Sequence, residues 1–542
     1  MDADTFDVVV VGTGAGGLTA ALAAHEAGAR TAIVEASSFV GGTHAYATGL
    51  VWVPANDHAL AAGIADSPEE AIAHVRELSG DRHDEEVLGA FAHRSAEAIR
   101  WLEQQAEVPF ELVPRYPDYY AERIGGKAEG RYLASPLFRC PELLPAEWQP
   151  RLVRSPYYSE LAVSWREIQA WGGFGSIATW DKELLAQRAQ EGYVGFGMAT
   201  AGYLLAAVLK RQIPILIETK AIELVQSKGR ITGLRVRNSD GARVVAARLG
   251  VVLATGGYDR SAKLQKRLDP HPVARPLGAP EVDGSALEAA LELGAAFAVM
   301  DGQLLLPTYQ IPRQDGTVGD RTLIRESAFP GCLIVNNSGK RFCDESFYRG
   351  VAHAMAQFDV ITQSYPNRSA YLVFDQEWKD RYPLGPIRAG EIPDWLPRTD
   401  DPRALADSIH IDAENFCRAL DEYNLAAKAG QDPSFGRGSL AYGRNNGDPA
   451  VSPNPCLRPL SGRLFAVRLE LGTAGTDSGL MVDSKARVLH VRGDPIRGLY
   501  AVGNIAANLV EGLWYNSGTA NARGLTFGYL AALDLVAEAA HQ

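Results

Sequence analysis

Asp7-Val8-Val9-Val10-Val11 is an unbroken β-branched run, the pattern of a strand buried on both faces of a parallel sheet, and it stops at Gly12-Thr13-Gly14-Ala15-Gly16-Gly17. The Ala- and Leu-rich stretch from Leu18 predicts a helix that Gly28 terminates, and Thr31 to Glu35 predicts a second strand. In such a βαβ unit Gly12 allows the tight turn, Gly14 lets backbone approach a pyrophosphate at the helix N-terminus, and Gly17 permits close helix-strand packing. Glu35 then stands where an acid binds ribose hydroxyls. Strand, glycines, helix, strand and acid in this order make a stronger signal than the glycines alone.

Residues 60 to 190 carry helical patterns with many aromatics and no second nucleotide fingerprint. The longest uncharged stretch, Tyr193 to Leu209, contains Gly195, Gly197 and Gly202 and ends at Lys210-Arg211, so it predicts a buried core helix rather than a bilayer span. Ile213 to Leu224, with Ala221, and Ile231 to Val236 predict strands that close over an adenosine. Gly250 to Gly257 is a further apolar strand that runs into a glycine turn at Gly256. Near Pro270 the texture changes to alternating prolines, isolated strands such as Gly331 to Val335, and helices, as far as about residue 445. The chain ends with a short strand and glycine turn at Gly498 to Asn504 and a helix from about Gly518 to Ala539. The expected fold class is α/β: a Rossmann-like domain formed by residues 1–268 and 446–542, with an α+β substrate domain, residues 269–445, inserted between them.

Composition narrows the function classes. The chain has 542 residues, 46% hydrophobic and 22% charged, with a formal net charge of -12, which repels phosphate backbones and anionic bilayers, so nucleic acid is a poor candidate partner. The five cysteines, Cys140, Cys332, Cys343, Cys417 and Cys456, show no CxxC or Cys/His cluster, so neither a disulfide framework nor a zinc site is expected. The acidic N-terminus runs straight into a strand without a signal-peptide pattern, and the expected location is the reducing cytoplasm.

A nicotinamide enzyme needs only the first motif, whereas a second glycine turn ending in a polar residue near the C-terminus, here Asn504, suggests FAD. The residues GTGAGG with Glu35, Gly41-Gly42-Thr43, ATGG at 254–257 and GLYAVGN at 498–504 resemble the flavoproteins of the fumarate reductase and succinate dehydrogenase superfamily. The likeness is nearest to the 3-ketosteroid dehydrogenase branch. It extends over DYYAERIGG at 118–126, PGCLIVNNSGKRFCDESFY at 330–348, VAHAM at 351–355, VFDQEWKDRYP at 373–383, the segment from FGRG to PNPCLRPL between 435 and 460, and TFGYLAA at 526–532. The resemblance implies bound FAD, held by Gly12, Gly14, Gly17, Glu35, Gly42, Thr43, Ala221, Gly256 and Asn504. It also implies a cyclic ketone substrate that loses two hydrogens next to its carbonyl, and an electron acceptor that remains unidentified.

That chemistry requires a base for the α-hydrogen, donors for the developing enolate, and a hydride acceptor beside the β-carbon. The branch uses three tyrosines, and candidates stand at each place: Tyr119 or Tyr120, Tyr348, and Tyr515. Tyr515 would bind the carbonyl together with Ser517 or the backbone near Gly518. Tyr348 matches the proton-abstracting tyrosine when counted from His353-Ala354-Met355; counted from Glu345 that place falls to Arg349, which would match the proton-donating arginine of fumarate reductases. Where steroid Δ1-dehydrogenases carry Tyr-Pro-Gly-Pro-Gly, this chain has Trp514-Tyr515-Asn516-Ser517-Gly518. Arg349 and Arg523 would then serve the carboxylate of a smaller substrate such as an oxocyclohexanecarboxylate. His44 occupies the place where succinate dehydrogenases attach FAD covalently, although most of the superfamily holds it without a covalent bond. An enoate reductase and a non-enzymatic FAD-holding protein are the alternative readings.

Overall fold

A computed structural model of the chain describes residues 5–79, 82–270, 274–300, 303–313, 316–509 and 516–540. Strand Thr5–Val11 lies in the middle of a sheet, with Val8, Val9 and Val10 wholly buried. It pairs in parallel with Gly241–Leu253 on one side and Thr31–Val34 on the other. Pro495–Ala501 and Ile215–Leu216 extend the parallel order outward, and Arg487–Leu489 closes one edge antiparallel. Strands buried on both faces cannot alternate polar with apolar residues, which is why this one reads as a solid valine run.

The predicted strand over 213–224 is two strands. Glu218 adopts φ 50°, its N–H donates to the Ser37 carbonyl at 3.0 Å, and the Thr219 N–H donates to the Glu35 carbonyl at 2.8 Å. This turn separates Ile215–Leu216 from Lys220–Ser227. The latter runs antiparallel to Arg230–Asn238, which in turn pairs with the first half of Gly241–Leu253. It also brings Ala221 alongside Glu35 at the carboxyl end of the parallel strands.

Helix Ala15–Glu26 is buried from Ala15 to Ala24, and helix Phe196–Lys210 is buried along most of its length, as a chain apolar on all sides requires. Among the described residues no helix is long and apolar enough to cross a membrane. Helix Thr519–Ala540 lies against Ala15–Glu26 through glycines: a Cβ on Gly16 would stand 3.0 Å from the Gly524 carbonyl oxygen, and one on Gly528 would stand 2.4 Å from that of Gly16.

The second sheet has the antiparallel order Val318–Thr322, Gln303–Pro312, Leu464–Thr476, Ala370–Asp375, Cys332–Asn336, and the short strand Arg275–Pro276 adds to Leu464–Thr476 in parallel. Its centre, Leu464–Thr476, comes from beyond residue 445. The return to the first sheet occurs at Arg487. Residues 60 to 190 form helices and small strands around a core of aromatics that includes Trp52, Tyr116, Tyr119 and Tyr132.

Candidate functional site

A long cleft runs from the carboxyl end of the parallel strands to the second sheet. Most of the residues expected to hold FAD line it: Gly12, Gly14, Glu35, Gly42, Thr43, Ala221, Gly256 and Asn504. Gly17 does not. A Cβ there would lie 2.1 Å from the Gly12 carbonyl oxygen, so this glycine serves the packing of helix on turn.

At one end Glu35 is fixed by three donors: the Thr13 N–H at 2.9 Å and hydroxyl at 2.5 Å on Oε2, and the Ser37 N–H at 2.8 Å on Oε1. Burial nonetheless pushes its pKa above the usual carboxylate range, the hydrogen bonds acting against the shift. Next comes the N-terminus of helix Ala15–Glu26, whose cap Gly14 has no side chain to satisfy the first N–H groups. A Cβ on Gly14 would meet nothing within 4 Å, while one on Gly42 would stand 3.4 Å from Gly14 Cα. Exposed helix N–H groups beside side-chain-free backbone suit a pyrophosphate.

Further along, His44 Nδ1 lies 2.9 Å from Asn521 Oδ1. Burial lowers its pKa to about 4, so the ring is neutral and donates through Nδ1, and its buried Nε2 has no protein partner. Asp259, 2% exposed, likewise has Oδ2 without a partner. The Asn504 Oδ1 accepts from Arg523 Nη2 at 3.0 Å. Arg523 also donates to the carbonyls of Ala507 and Gly503 and to Asn508 Oδ1, so its guanidinium is engaged by this turn rather than turned to a substrate carboxylate. The open space at Gly14 and the uncapped helix end fit a dinucleotide. Among the described residues no cluster of His, Cys, Asp and Glu could hold a metal.

At the other end stand Tyr348 and Arg349, both lining the cleft and both buried. Tyr348 opens helix Tyr348–Ala356. Three residues upstream, Glu345 is wholly buried between Arg341, at 2.7 Å, and Arg437, at 3.3 Å, while Arg341 also pairs with Asp432 at 2.7 Å. These charges fix the start of the helix, because removing either sign leaves the other buried and unpaired. The Tyr348 hydroxyl is 2.6 Å from that of Tyr119, which sits behind it and is 1% exposed. Tyr442 packs against Tyr119 with ring centroids 4.2 Å apart. Tyr120 stands outside the pair, edge-on to Phe347.

Gly518 and Ser517 line the cleft at the N-terminus of the last helix. Gly518 has φ 83°, and a Cβ there would lie 2.6 Å from the Leu50 carbonyl oxygen, so only glycine fits. Trp514 and Tyr515 lie outside the described residues. Two neighbouring residues hold the tyrosine pair. Asp118 accepts from Trp52 Nε1 at 2.7 Å and from Arg131 Nη1 at 2.9 Å, and Asn516 Oδ1 accepts from the Tyr119 N–H at 2.7 Å. Both stand in segments that resemble the family, Asp118 at the start of DYYAERIGG and Asn516 after Tyr515, but their partners lie far along the chain.

The family described as FAD binding domain matches residues 7–521. The chain is 34% identical to a 4-oxocyclohexanecarboxylate 2-dehydrogenase of Sinomonas cyclohexanicum, over 99% of this chain and 94% of the relative. It is 31% identical to a 3-oxosteroid 1-dehydrogenase of Mycolicibacterium smegmatis, over 100% and 99%. The 3-ketosteroid Δ1-dehydrogenase of Sterolibacterium denitrificans, solved with 1,4-androstadiene-3,17-dione, superposes with a TM-score of 0.88 at 30% identity, covering 99% of this chain and 100% of that one.

Proposed function

Since the chain belongs to the ketosteroid dehydrogenase branch of the FAD-binding flavoproteins, and is an FAD-dependent oxidoreductase, we propose that it desaturates a cyclic ketone next to its carbonyl. The hydrogen-bonded pair Tyr119–Tyr348 at the cleft wall carries this reading. FAD, when bound, supplies the acceptor for the hydride that leaves the β-carbon.

Tyr348 takes the α-proton, because it faces the cleft while Tyr119 stands behind it. A phenol with a reference pKa near 10 is a poor base at neutral pH, and a hydrogen bond donated to its ionised form favours that form. Tyr119 is placed to give that bond at 2.6 Å. The ketone oxygen, as it gains enolate charge, is held at the N-terminus of helix Thr519–Ala540 by Gly518 and Ser517, with Tyr515 adding a hydroxyl. Donors of this kind are worth about 2.7 to 4 kcal/mol each where they have been removed. The substrate is a 3-ketosteroid or a smaller 4-oxocyclohexanecarboxylate-like acid, the two classes named in the relatives. Arg349 in the cleft wall favours the acid within this pair, and it is also the residue on which an enoate reductase would depend.

Anaerobic mixing with each ketone tests the reading: the yellow absorbance bleaches with a saturated ketone that is a substrate. Tyr348→Phe should lose both the bleaching and the exchange of ketone α-hydrogens with deuterated solvent, since one proton transfer begins both. Arg349→Lys should spare exchange and raise KM for an acidic ketone, because lysine loses the bidentate geometry. Exchange that survives Tyr348→Phe and disappears in Arg349→Lys would overturn the dehydrogenase mechanism in favour of the reductase.

A further inference from the structure

Ile324 lines the cleft, while Arg325, the next residue, lies behind it in a cage of aromatic rings. Its guanidinium carbon stands 3.9 Å from the ring centre of Phe174 and 5.4 Å from that of Trp165. The residue is 7% exposed, and among the described residues no carboxylate lies within ion-pair distance of its guanidinium. The adjacent Glu326 instead accepts from the Tyr309 hydroxyl at 3.1 Å and the Arg325 N–H at 3.3 Å. Burial raises the pKa of that carboxyl, with the charge of Arg325 acting against the shift. An arginine keeps its proton at any ordinary pH, so its surroundings must answer the charge. Ring faces do part of this. The remaining groups that act on it are phenols, those of Tyr158, Tyr116 and Tyr442.

Two of these phenols lead to the reacting pair. Tyr116 packs against Trp165 with ring centroids 5.3 Å apart, and against Tyr442 at 6.3 Å. Tyr442 in turn lies 4.2 Å from Tyr119 and 6.5 Å from Tyr348, centroid to centroid, and the hydroxyls of Tyr119 and Tyr348 are 2.6 Å apart. Tyr116 is 2% exposed, and Tyr442 and Tyr119 are 1% exposed. In so dry a region one charge acts beyond its nearest ring, because neither water nor salt screens it. Burial raises the pKa of Tyr116 and lifts that of Tyr442 well above 10, with Arg325 opposing both shifts. Both therefore stay neutral at pH 7, and a negative charge in this cluster settles on the Tyr119–Tyr348 end, beside the cleft.

We propose that Arg325 is a positioning residue for the proton transfer, the buried countercharge that favours the ionised form of the Tyr119–Tyr348 pair across Tyr116 and Tyr442. The inference rests on the reading of Tyr348 as the base. The other charges around the pair are matched or lie elsewhere. Asp118 is bound by Arg131 at 2.9 Å, and Glu345 by Arg341 and Arg437. Burial lifts Asp344 to about 6, so it is already ionised above pH 7. Arg349 stands in the cleft wall on the substrate side and acts, with Arg123, on Tyr120.

The test is a titration of the FAD-bound protein between about pH 7 and 11, followed by the ultraviolet absorbance of tyrosinate. Subtracting the same titration of Tyr348→Phe isolates the pair and cancels the flavin. In Arg325→Met the apparent pKa of the pair should rise by about one pH unit, the low end of what a single nearby charge does. Arg325→Lys keeps the cation and should restore most of the difference. With whichever of 4-oxocyclohexanecarboxylate and a 3-ketosteroid bleaches wild type, Arg325→Met should bleach roughly tenfold more slowly at pH 7. The rate should recover to within about threefold of wild type once the pair is ionised. Should Arg325→Met lose its fold or its FAD, Arg325→Gln is titrated in its place. An apparent pKa that is the same with and without the cation overturns the proposal. So does slow bleaching that raised pH fails to restore, because both describe a residue that only fills the cage. The titration needs no substrate, so failure of the ketone reading shows separately, as a wild type that neither ketone bleaches.

Discussion

Gly14 and Gly17 belong to one motif but answer to different constraints. A Cβ on Gly14 enters open cleft, whereas one on Gly17 would stand 2.1 Å from the Gly12 carbonyl oxygen. Gly14→Val should therefore give a folded chain, with an apo melting temperature close to wild type, that purifies without yellow colour. Gly17→Ala should destabilise the apo chain by about 1 to 3 kcal/mol through overpacking. Urea unfolding and flavin absorbance of the two variants separate the effects, and a Gly14→Val protein that is folded and fully yellow would move the pyrophosphate elsewhere. The motif was readable because glycine spacing reports backbone geometry, yet it does not tell which glycine makes room for a ligand and which for the chain. The site shows the same limit. Tyr119 and Tyr348 are legible in sequence, but Asp118 and Asn516, which hold Tyr119 from residues 52, 131 and 516, depend on long-range contacts that no local pattern encodes.

Two helices from opposite ends of the chain, Ala15–Glu26 and Thr519–Ala540, direct their N-termini at the same cleft. Their backbones meet at Gly16, Gly524 and Gly528, where side chains would force the axes apart. Gly528→Leu is expected to cost about 1 to 3 kcal/mol in apo stability. It should also weaken FAD binding, since the end carrying Ser517 and Gly518 moves with the helix; denaturation of the apo chain and the FAD Kd measure the two consequences. An unchanged Kd would mean that the helix ends are positioned independently of this contact. Elements of this kind were largely legible: the βαβ unit, the buried helix Phe196–Lys210 and the last helix are apolar runs beside glycines in the local sequence. The break at Glu218 and the membership of Leu464–Thr476 in the second sheet were not, because one rests on hydrogen bonds to residues 35 and 37 and the other on strand partners far away in the chain.

The whole molecule buries several ionisable groups, and its stability records their cost. His44 is neutral in the folded chain, with a pKa of about 4 against 6.5 when exposed. Below pH 6.5 the unfolded chain takes up a proton that the folded one refuses, so this contribution is intact above pH 6.5 and is lost as pH falls toward 4, by about 3 kcal/mol in all. Asp259, at about 7, and Asp269 and Asp344, at about 6, act with the opposite sign. The folded chain keeps their protons while the unfolded chain releases them, so they favour folding as pH falls through those values. Between pH 6.5 and 5 the two effects oppose each other in the total, and the imidazole is visible only by difference. His44→Gln removes the titration and keeps a polar side chain. In urea unfolding of the apo proteins, the stability of wild type relative to this variant should fall by about 2 kcal/mol from pH 6.5 to 5. A difference that stays constant would mean that the folded chain accepts the proton.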